Sequence, residues 1–456
     1  MPEGSLPREG VRRGDGTVMG NTEDALKSEN VYTKQARIAE LARKLPGRPM
    51  VSLNHYLDMD WMQEACKRVR KDAAPGVDGM EWGAYSRDLP KRLAELLDRA
   101  KAGDQYRAPA VRRVYIPKGK HETRPLGIPT LEDKILQRAV TMVLEPIYEQ
   151  EFLACSKGFR PKCSAHQALN MVWKQIMETG GCWLIDADIA KFFDTLNKAV
   201  LRNFVHQRVG DGVMRRLIGK WLSAGVIDNG VMQYPETGTP QGGVISPMLS
   251  NIYLHHVLDL WFEQEIKPRL KGRAWMVRFA DDFVMGFEYE QDARRVYAVL
   301  FKRFEKHGLM IHPEKTRLVP FYPPDRNGGK RETFNFLGFT HQWGTSRKGR
   351  AIVTRQTMSK RLTRALDGLR QFCRENRTQP LEEQWKSLKQ KMRGHYAYYG
   401  IVGNLRQLAN FAHETERIWR FWLNRRSSRR DMPWERFQRI LARYPLPQPH
   451  IVHSIT

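Results

Sequence analysis

Cysteine is scarce: Cys66, Cys155, Cys163, Cys182 and Cys373 are the only five in 456 residues, with no Cys-x-x-Cys pair and an odd total. This excludes a disulfide framework and a zinc ribbon or knuckle, and points to a reducing compartment. No uninterrupted apolar run reaches the length of a membrane span, and the opening MPEGSLPREGVRRGDG is polar where a signal peptide needs an apolar stretch. The expectation is a soluble intracellular protein with no membrane partner. No repeat of fixed period is visible, which argues against a solenoid.

Acidic residues are the other deficit. Asp and Glu number 50 against 76 Lys and Arg, a net charge of +26, while 41% hydrophobic and 10% aromatic residues keep the composition that of a folded protein. So large a positive excess repels itself unless a polyanion is near, which makes nucleic acid the first partner to consider and an anionic membrane surface the second. The charge is uneven: residues 341–456 hold 24 basic and 8 acidic residues, a net +16, leaving +10 for the first 340.

Residues 1–30 are polar, charged and without apolar periodicity, and read as a mobile leader. Helical patterns follow to about residue 105, punctuated by the turn signals of Ala74-Pro75-Gly76-Val77-Asp78-Gly79. Val111–Lys118 and Arg124–Pro129 read as two strands joined by a basic loop, and Leu131–Phe152 as a helix. Ser164-Ala165-His166-Gln167 is a capping box, so His166 is a helix-start residue. Between 181 and 340, strands at Trp183–Ile189, Trp275–Phe279, Phe283–Phe287 and Phe334–Phe339 alternate with helices near 197–222, 247–265 and 291–307, an α+β pattern with a largely antiparallel sheet. Beyond the basic loop at Arg347-Lys348-Gly349-Arg350, three apolar stripes at helical spacing predict an all-α bundle with a basic exterior. They run Met358, Leu362, Leu366, Leu369, Cys373; Trp385, Leu388, Met392, Tyr396; and Leu405, Leu408, Ala412, Thr415, Trp419, Trp422. The proline-rich end reads as irregular chain.

Chemistry concentrates in acids. In Trp183-Leu184-Ile185-Asp186-Ala187-Asp188-Ile189 the strand alternation puts Asp186 and Asp188 on one face. Phe279-Ala280-Asp281-Asp282-Phe283 places two more acids between apolar β-like runs, where a tight hairpin would hold them at its tip. An Asp pair alone is ordinary turn chemistry. Three carboxylates brought together from one sheet repel one another unless divalent cations bind among them. Two Mg²⁺ ions about 3.5–4 Å apart would activate a 3′-hydroxyl and neutralise a pyrophosphate leaving group.

Asp188-Ile-Ala-Lys-Phe-Phe-Asp194, Gly238-Thr-Pro-Gln-Gly-Gly-Val-Ile-Ser-Pro247, Phe279-Ala-Asp-Asp282, His312-Pro-Glu-Lys-Thr316 and Phe336-Leu-Gly-Phe339 occur in that order and resemble successive motifs of reverse transcriptases. With Ala74–Gly79, Arg124–Pro129 and Gly158-Phe-Arg-Pro161, the match over about residues 30–430 resembles proteins encoded within bacterial group II introns. The resemblance implies a right-hand polymerase: N-terminal extension and fingers at 31–180, palm at 181–345, helical thumb or maturase domain at 346–430 and a short tail at 431–456.

It further implies Asp188 and Asp281 as metal ligands, with Asp282 beside them and the Ile189 carbonyl as a backbone ligand for two Mg²⁺. Spacing does not choose between Asp186 and Asp188; the run following Asp188 favours the latter. Phe193 matches an aromatic that crowds a ribose 2′-hydroxyl and so selects deoxynucleotides, with a core phenylalanine as the plain alternative. Gln241 and Gly242 would meet the incoming dNTP, and Lys118 and Arg124 would grip its triphosphate. Lys315 would protonate pyrophosphate or act only as a charge. Asp194 reads as a helix cap, and Ser246-Pro247 as a helix opening. Phe279 stands where many relatives carry Tyr; it removes a hydroxyl and keeps the ring.

Tyr396, Tyr398 and Tyr399 could stack on bases, though such spacing more often builds core; Arg425, Arg426, Arg429 and Arg430 fit phosphate contacts or a solvated helix end. Related proteins often continue into a His-Asn-His endonuclease, for which residues 431–456 supply neither paired cysteines nor a histidine cluster. The implied partners are intron RNA, an RNA template, a DNA primer and target DNA; the implied place is the bacterial cytoplasm, with the nucleoid or a ribonucleoprotein. A domesticated relative in phage defence or DNA repair would share these palm residues. A splicing factor without polymerase activity is disfavoured by intact Asp188, Asp281 and Asp282.

Overall fold

A computed structural model describes residues 22–117, 123–234, 237–238, 242–324, 332–346, 348–426 and 432–454. The chain divides into two compact units.

The first comprises residues up to 151 with 205–234 and 242–245. Its sheet contains strands β1 (Val111–Pro117) and β2 (Thr123–Ile128). As predicted, they pair antiparallel, Ile116 opposite Arg124. The largely buried helix Leu131–Tyr148 belongs to this unit, started by Thr130, whose hydroxyl accepts the Asp133 amide. The helix Thr22–Lys44 begins inside the span expected to be a leader.

In the second unit, β3 (Cys182–Ala190) is central. The first unit's sheet is completed by β4 (Val226–Asp228) and β5 (Val231–Gln233), in the order β2-β1-β4-β5. Around β3 lie β6 (Ala274–Phe279), β7 (Asp282–Phe287), β8 (Met310–Ile311) and β9 (Arg317–Phe321). β7, β8 and β9 pair with β3, and β6 with β7, all antiparallel. The amphipathic helix Ala165–Thr179 lies against this sheet's apolar core through Ala168, Leu169, Val172 and Ile176. Its capping box is present, and Gly180 closes it at φ +69°, a left-handed conformation that glycine adopts without strain.

The strand expected over Phe334–Phe339 is two strands, β10 (Thr333–Phe336) and β11 (Phe339–Thr345), broken by a turn with Leu337 and Gly338 both at positive φ. With β12 (Ala351–Thr357) they form a second antiparallel sheet. The helical run expected near 197–222 is two helices, Lys198–Arg208 and Gly212–Leu222, the second capped by the Asp211 carboxylate. The helix expected over 247–265 is α-helical for Ser246–Leu254, then widens into π-helical turns at His255–Asp259 and Trp261–Ile266.

The three predicted C-terminal helices are Ser359–Glu375, Leu381–Tyr399 and Leu405–Leu423, packed through Leu366, Leu369, Leu388, Met392, Leu408, Phe411 and Trp419. Leu405, assigned to the apolar stripe, is exposed. The end is less irregular than its prolines suggested: Trp434–Arg443 is a fourth helix, and Phe437 joins the same core.

Candidate active site

Strand alternation puts Asp186 and Asp188 on one face of β3, and pairing decides what each meets. Asp186 lies opposite Arg317 of β9 and bonds it at 2.9 Å, so its charge is already matched. Burial pushes the Asp186 carboxyl above the usual range against the pull of that guanidinium. Asp188 lies directly opposite Asp282 of β7. Its cationic neighbour is Lys315, whose Nζ sits 3.1 Å from the carboxylate, both side chains about half exposed. The His312 amide bonds the Asp188 carbonyl at 2.8 Å, which joins the His-Pro-Glu-Lys-Thr segment to the same strand end.

Asp281 and Asp282 sit where the hairpin reading put them. Phe279 pairs with Asp282, leaving Ala280 and Asp281 as a two-residue loop. Ala280 has φ +59°, a conformation such a turn requires and a side chain disfavours. Asp282 accepts the Leu337 amide at 3.4 Å. Burial first, then the charge of Asp186 and its neighbours, pushes the Asp282 carboxyl up to about 7.

Among the described residues, seven non-glycine residues have positive φ; Ala280 and Leu337 adjoin these carboxylates, Lys191 follows Asp188 by three residues, and Phe159 follows the glycine that backs Ala280. Strain of this kind persists where surrounding structure enforces it, commonly at sites of function.

No ready-made cage of three His, Cys, Asp or Glu side chains occurs among the described residues. The donor chemistry nevertheless fits a hard divalent cation: Asp188 and Asp282 face each other at one sheet end, and burial with the neighbouring carboxylates raises Asp282 to about 7. Ile189 pairs with Ile311 and buries its side chain, with its backbone at the same strand end.

Phe193 is half-buried, edge-on to the buried Phe192 at 5.3 Å between ring centres. A Cβ on Gly238 would stand 2.6 Å from the Phe193 carbonyl, so the glycine of Gly-Thr-Pro-Gln-Gly-Gly is needed for this approach. Asp194 is not a cap: Lys191 precedes the short helix Phe192–Thr195, and Asp194 lies within it. In the first unit, Gly242 brings its backbone against β2, where a Cβ would come within 2.5 Å of the Gly127 carbonyl. Arg124 is exposed on β2. Lys118 and Gln241 lie outside the described residues, as do Pro240, Arg347, Arg429 and Arg430.

Tyr396 is fully buried, and Tyr398 and Tyr399 pack on Phe339, which makes them core residues of this fold. Arg425 lies over the Phe421 ring, and Arg426 bonds the carbonyls of Thr378 and Gln379. Sequence reading missed Tyr398 as a link to the site: its hydroxyl donates to the Leu337 carbonyl at 2.8 Å, while the Leu337 amide serves Asp282. It also missed Arg278, fully buried beneath the acidic turn. A lone basic residue inside an apolar strand was the signal available.

An antiparallel sheet with acids at one end and an acidic hairpin beside them defines the palm of a nucleic-acid polymerase. Residues 116–341 match the family described as "Reverse transcriptase (RNA-dependent DNA polymerase)", and the chain belongs to that family. More particularly, it is 38% identical over 252 residues to Protein YkfC of Escherichia coli K12, covering 52% of this chain and 66% of that protein. It is 38% identical over 187 residues to the group II intron-encoded protein LtrA of Lactococcus lactis subsp. cremoris, 40% of this chain and 31% of LtrA. Against nuclear intron maturase 4, mitochondrial, of Arabidopsis thaliana it is 28% identical over 192 residues, 39% of this chain and 24% of that protein. The chain thus spans less than two thirds of the relatives it matches.

Among the described residues, no helix is long and apolar enough to cross a membrane.

Proposed function

We propose that this protein is an RNA-directed DNA polymerase of the group II intron type, copying RNA into DNA from dNTPs. The observation that carries the reading is the pairing of Asp188 with Asp282 across β3 and β7, with Asp281 in the adjoining turn. Asp188, Asp281 and Asp282, with the Ile189 carbonyl, would hold two Mg²⁺. Bound there, the ions would make the primer 3′-hydroxyl a better nucleophile and neutralise charge on the leaving pyrophosphate.

The chain's own groups do the rest. Lys315, now against Asp188, is free to turn towards pyrophosphate once a cation takes its place, there to donate a proton or hold the anion. Phe193 would present a ring against the sugar; the roles of Gly242 and Gln241 toward the nucleotide, and of Arg124 as a planar fork and Lys118 as a compact charge toward its phosphates, rest on the sequence resemblance. The basic C-terminal helices bind intron RNA to assist splicing and insertion into target DNA, which fits a net +16 over residues 341–456. The expected place is the bacterial cytoplasm, in a ribonucleoprotein or at the nucleoid.

The deciding experiment is primer extension on an RNA template with Mg²⁺ and dNTPs. Extension by the wild type that is lost in Asp281→Ala supports the reading; extension that survives the substitution refutes the assignment. Lys315→Arg keeps the charge and removes a ready proton donor, so unimpaired turnover would exclude the acid role. Binding of intron RNA that outlasts the polymerase substitution is the corresponding test of the maturase activity.

A further inference from the structure

The acidic turn is gripped from beneath by one buried side chain. Arg278, the penultimate residue of β6, is 0% exposed. Its Nε and Nη2 bond the two oxygens of Asp259 at 2.8 and 2.5 Å, and its Nη1 bonds both the Asn251 side-chain oxygen and the Ala280 carbonyl at 3.0 Å. Asn251 turns its amide nitrogen to the Gly158 carbonyl at 2.7 Å. The main chain of Arg278 is held as well: its amide bonds the Cys155 carbonyl and its carbonyl accepts the Lys157 amide, each at 2.8 Å. Gly158 backs the turn so closely that a Cβ would stand 2.1 Å from the Ala280 nitrogen.

Two further features show that this group serves the turn. Asp259 is fully buried and lies on the first π-helical segment; such widened turns cost regular hydrogen bonding and recur where a side chain must be re-aimed. A buried ion pair alone contributes little net stability compared with apolar packing. Here its arginine spends a donor on the carbonyl of Ala280, the strained residue next to Asp281.

We propose that Arg278, Asp259 and Asn251 form a positioning device for nucleotidyl transfer. They hold the Ala280-Asp281 turn in the one conformation that presents the Asp281 and Asp282 carboxylates to the metal ions. The inference rests on the polymerase reading of the site. Arg278 touches no substrate; it acts through the turn. Lysine in its place keeps the charge but cannot bridge a carboxylate, an amide and a carbonyl together.

The test uses the full chain with Arg278→Lys, Asn251→Ala and, as a control, Arg208→Lys. Arg208 is also buried, at 2% exposed, but pairs with Glu151 and bonds the carbonyls of Ala42, Leu45 and Arg48 in the first unit. Three quantities are read: thermal midpoint, Mn²⁺ affinity by electron paramagnetic resonance without nucleic acid, and kcat with KM for dNTP. The expected result for Arg278→Lys and Asn251→Ala is kcat lower by roughly 30-fold or more, dNTP KM within about threefold, and Mn²⁺ bound about tenfold more weakly. Arg208→Lys should lower the midpoint without either change. A folded Arg278→Lys or Asn251→Ala with wild-type Mn²⁺ affinity and kcat overturns the proposal, as does an equal loss in Arg208→Lys. Should Arg278→Lys not fold, Asn251→Ala decides. A wild type that extends no primer sinks the polymerase reading instead, while the Mn²⁺ titration still judges the grip.

Discussion

The palm site and the C-terminal helical bundle solve opposite problems. In the bundle, the core follows from each helix's own spacing: Leu366, Leu369, Leu388, Met392, Leu408 and Trp419 fall at helical spacing and meet in one apolar core. No non-glycine residue there has a positive φ among the described residues. In the palm, an apolar sheet ends in crowded carboxylates, a raised Asp282 and a turn strained at Ala280. Consistency across levels marks a region that only has to fold, and local conflict marks one that also has to act.

The comparison can be broken most directly at the acids. Asp281→Ala should lower turnover by on the order of 10⁴-fold, about 5 kcal/mol of barrier, while the thermal midpoint stays level or rises because a repelling charge is gone. A large fall in midpoint would mean that the acid is structural. Trp419→Ala is the mirror case: it should cost about 3–5 kcal/mol of unfolding free energy, with turnover per folded molecule on a short primer unchanged. Denaturant titration beside active-site titration separates the two.

Gly158→Ala comes next. It pushes a methyl group into the Ala280 backbone and should cost about 100-fold in turnover, the usual scale for a misplacement of about 1 Å, with a smaller effect on stability.

Acid sharpens the contrast by sign. Burial lowers His395, in the bundle, to about 4. The unfolded chain therefore binds its proton first, and stability is lost as pH falls from about 6.5 towards 4. Asp282, raised to about 7, holds a proton in the folded state, so in metal-free buffer its contribution improves over the same descent. His395→Phe should recover about 1–2 kcal/mol of the loss between pH 7 and pH 5, and Asp282→Asn should change the same profile in the other direction. Melting curves at several pH values in chelator test both.

The smallest effect should come from the bond that joins the regions. Tyr398→Phe removes the hydroxyl on the Leu337 carbonyl and should cost about 1 kcal/mol in turnover.

Much of this was legible beforehand because the relevant forces are local. Alternation in Trp183–Ile189 gave the strand and its acidic face, Ser164 and Gln167 gave a helix start, and helical stripes gave the bundle. The break at Leu337-Gly338 was missed because β-rich residues on both sides masked a turn that only a second sheet requires. The fourth helix was missed because Pro433 opens it where the prolines read as breakers. Widening at His255–Asp259 left no local sign, since α and π turns share their residue preferences.

The order of residues alone determined which side chains could do chemistry: acids with strand period or turn position, and a basic surface that calls for a polyanion. Tertiary structure decided what each acid meets. Asp186 and Asp188 are equivalent by alternation, yet β9 brings Arg317 to the first and β7 brings Asp282 to the second. That choice depends on strands more than 90 residues away, because charge is felt through space and not along the chain.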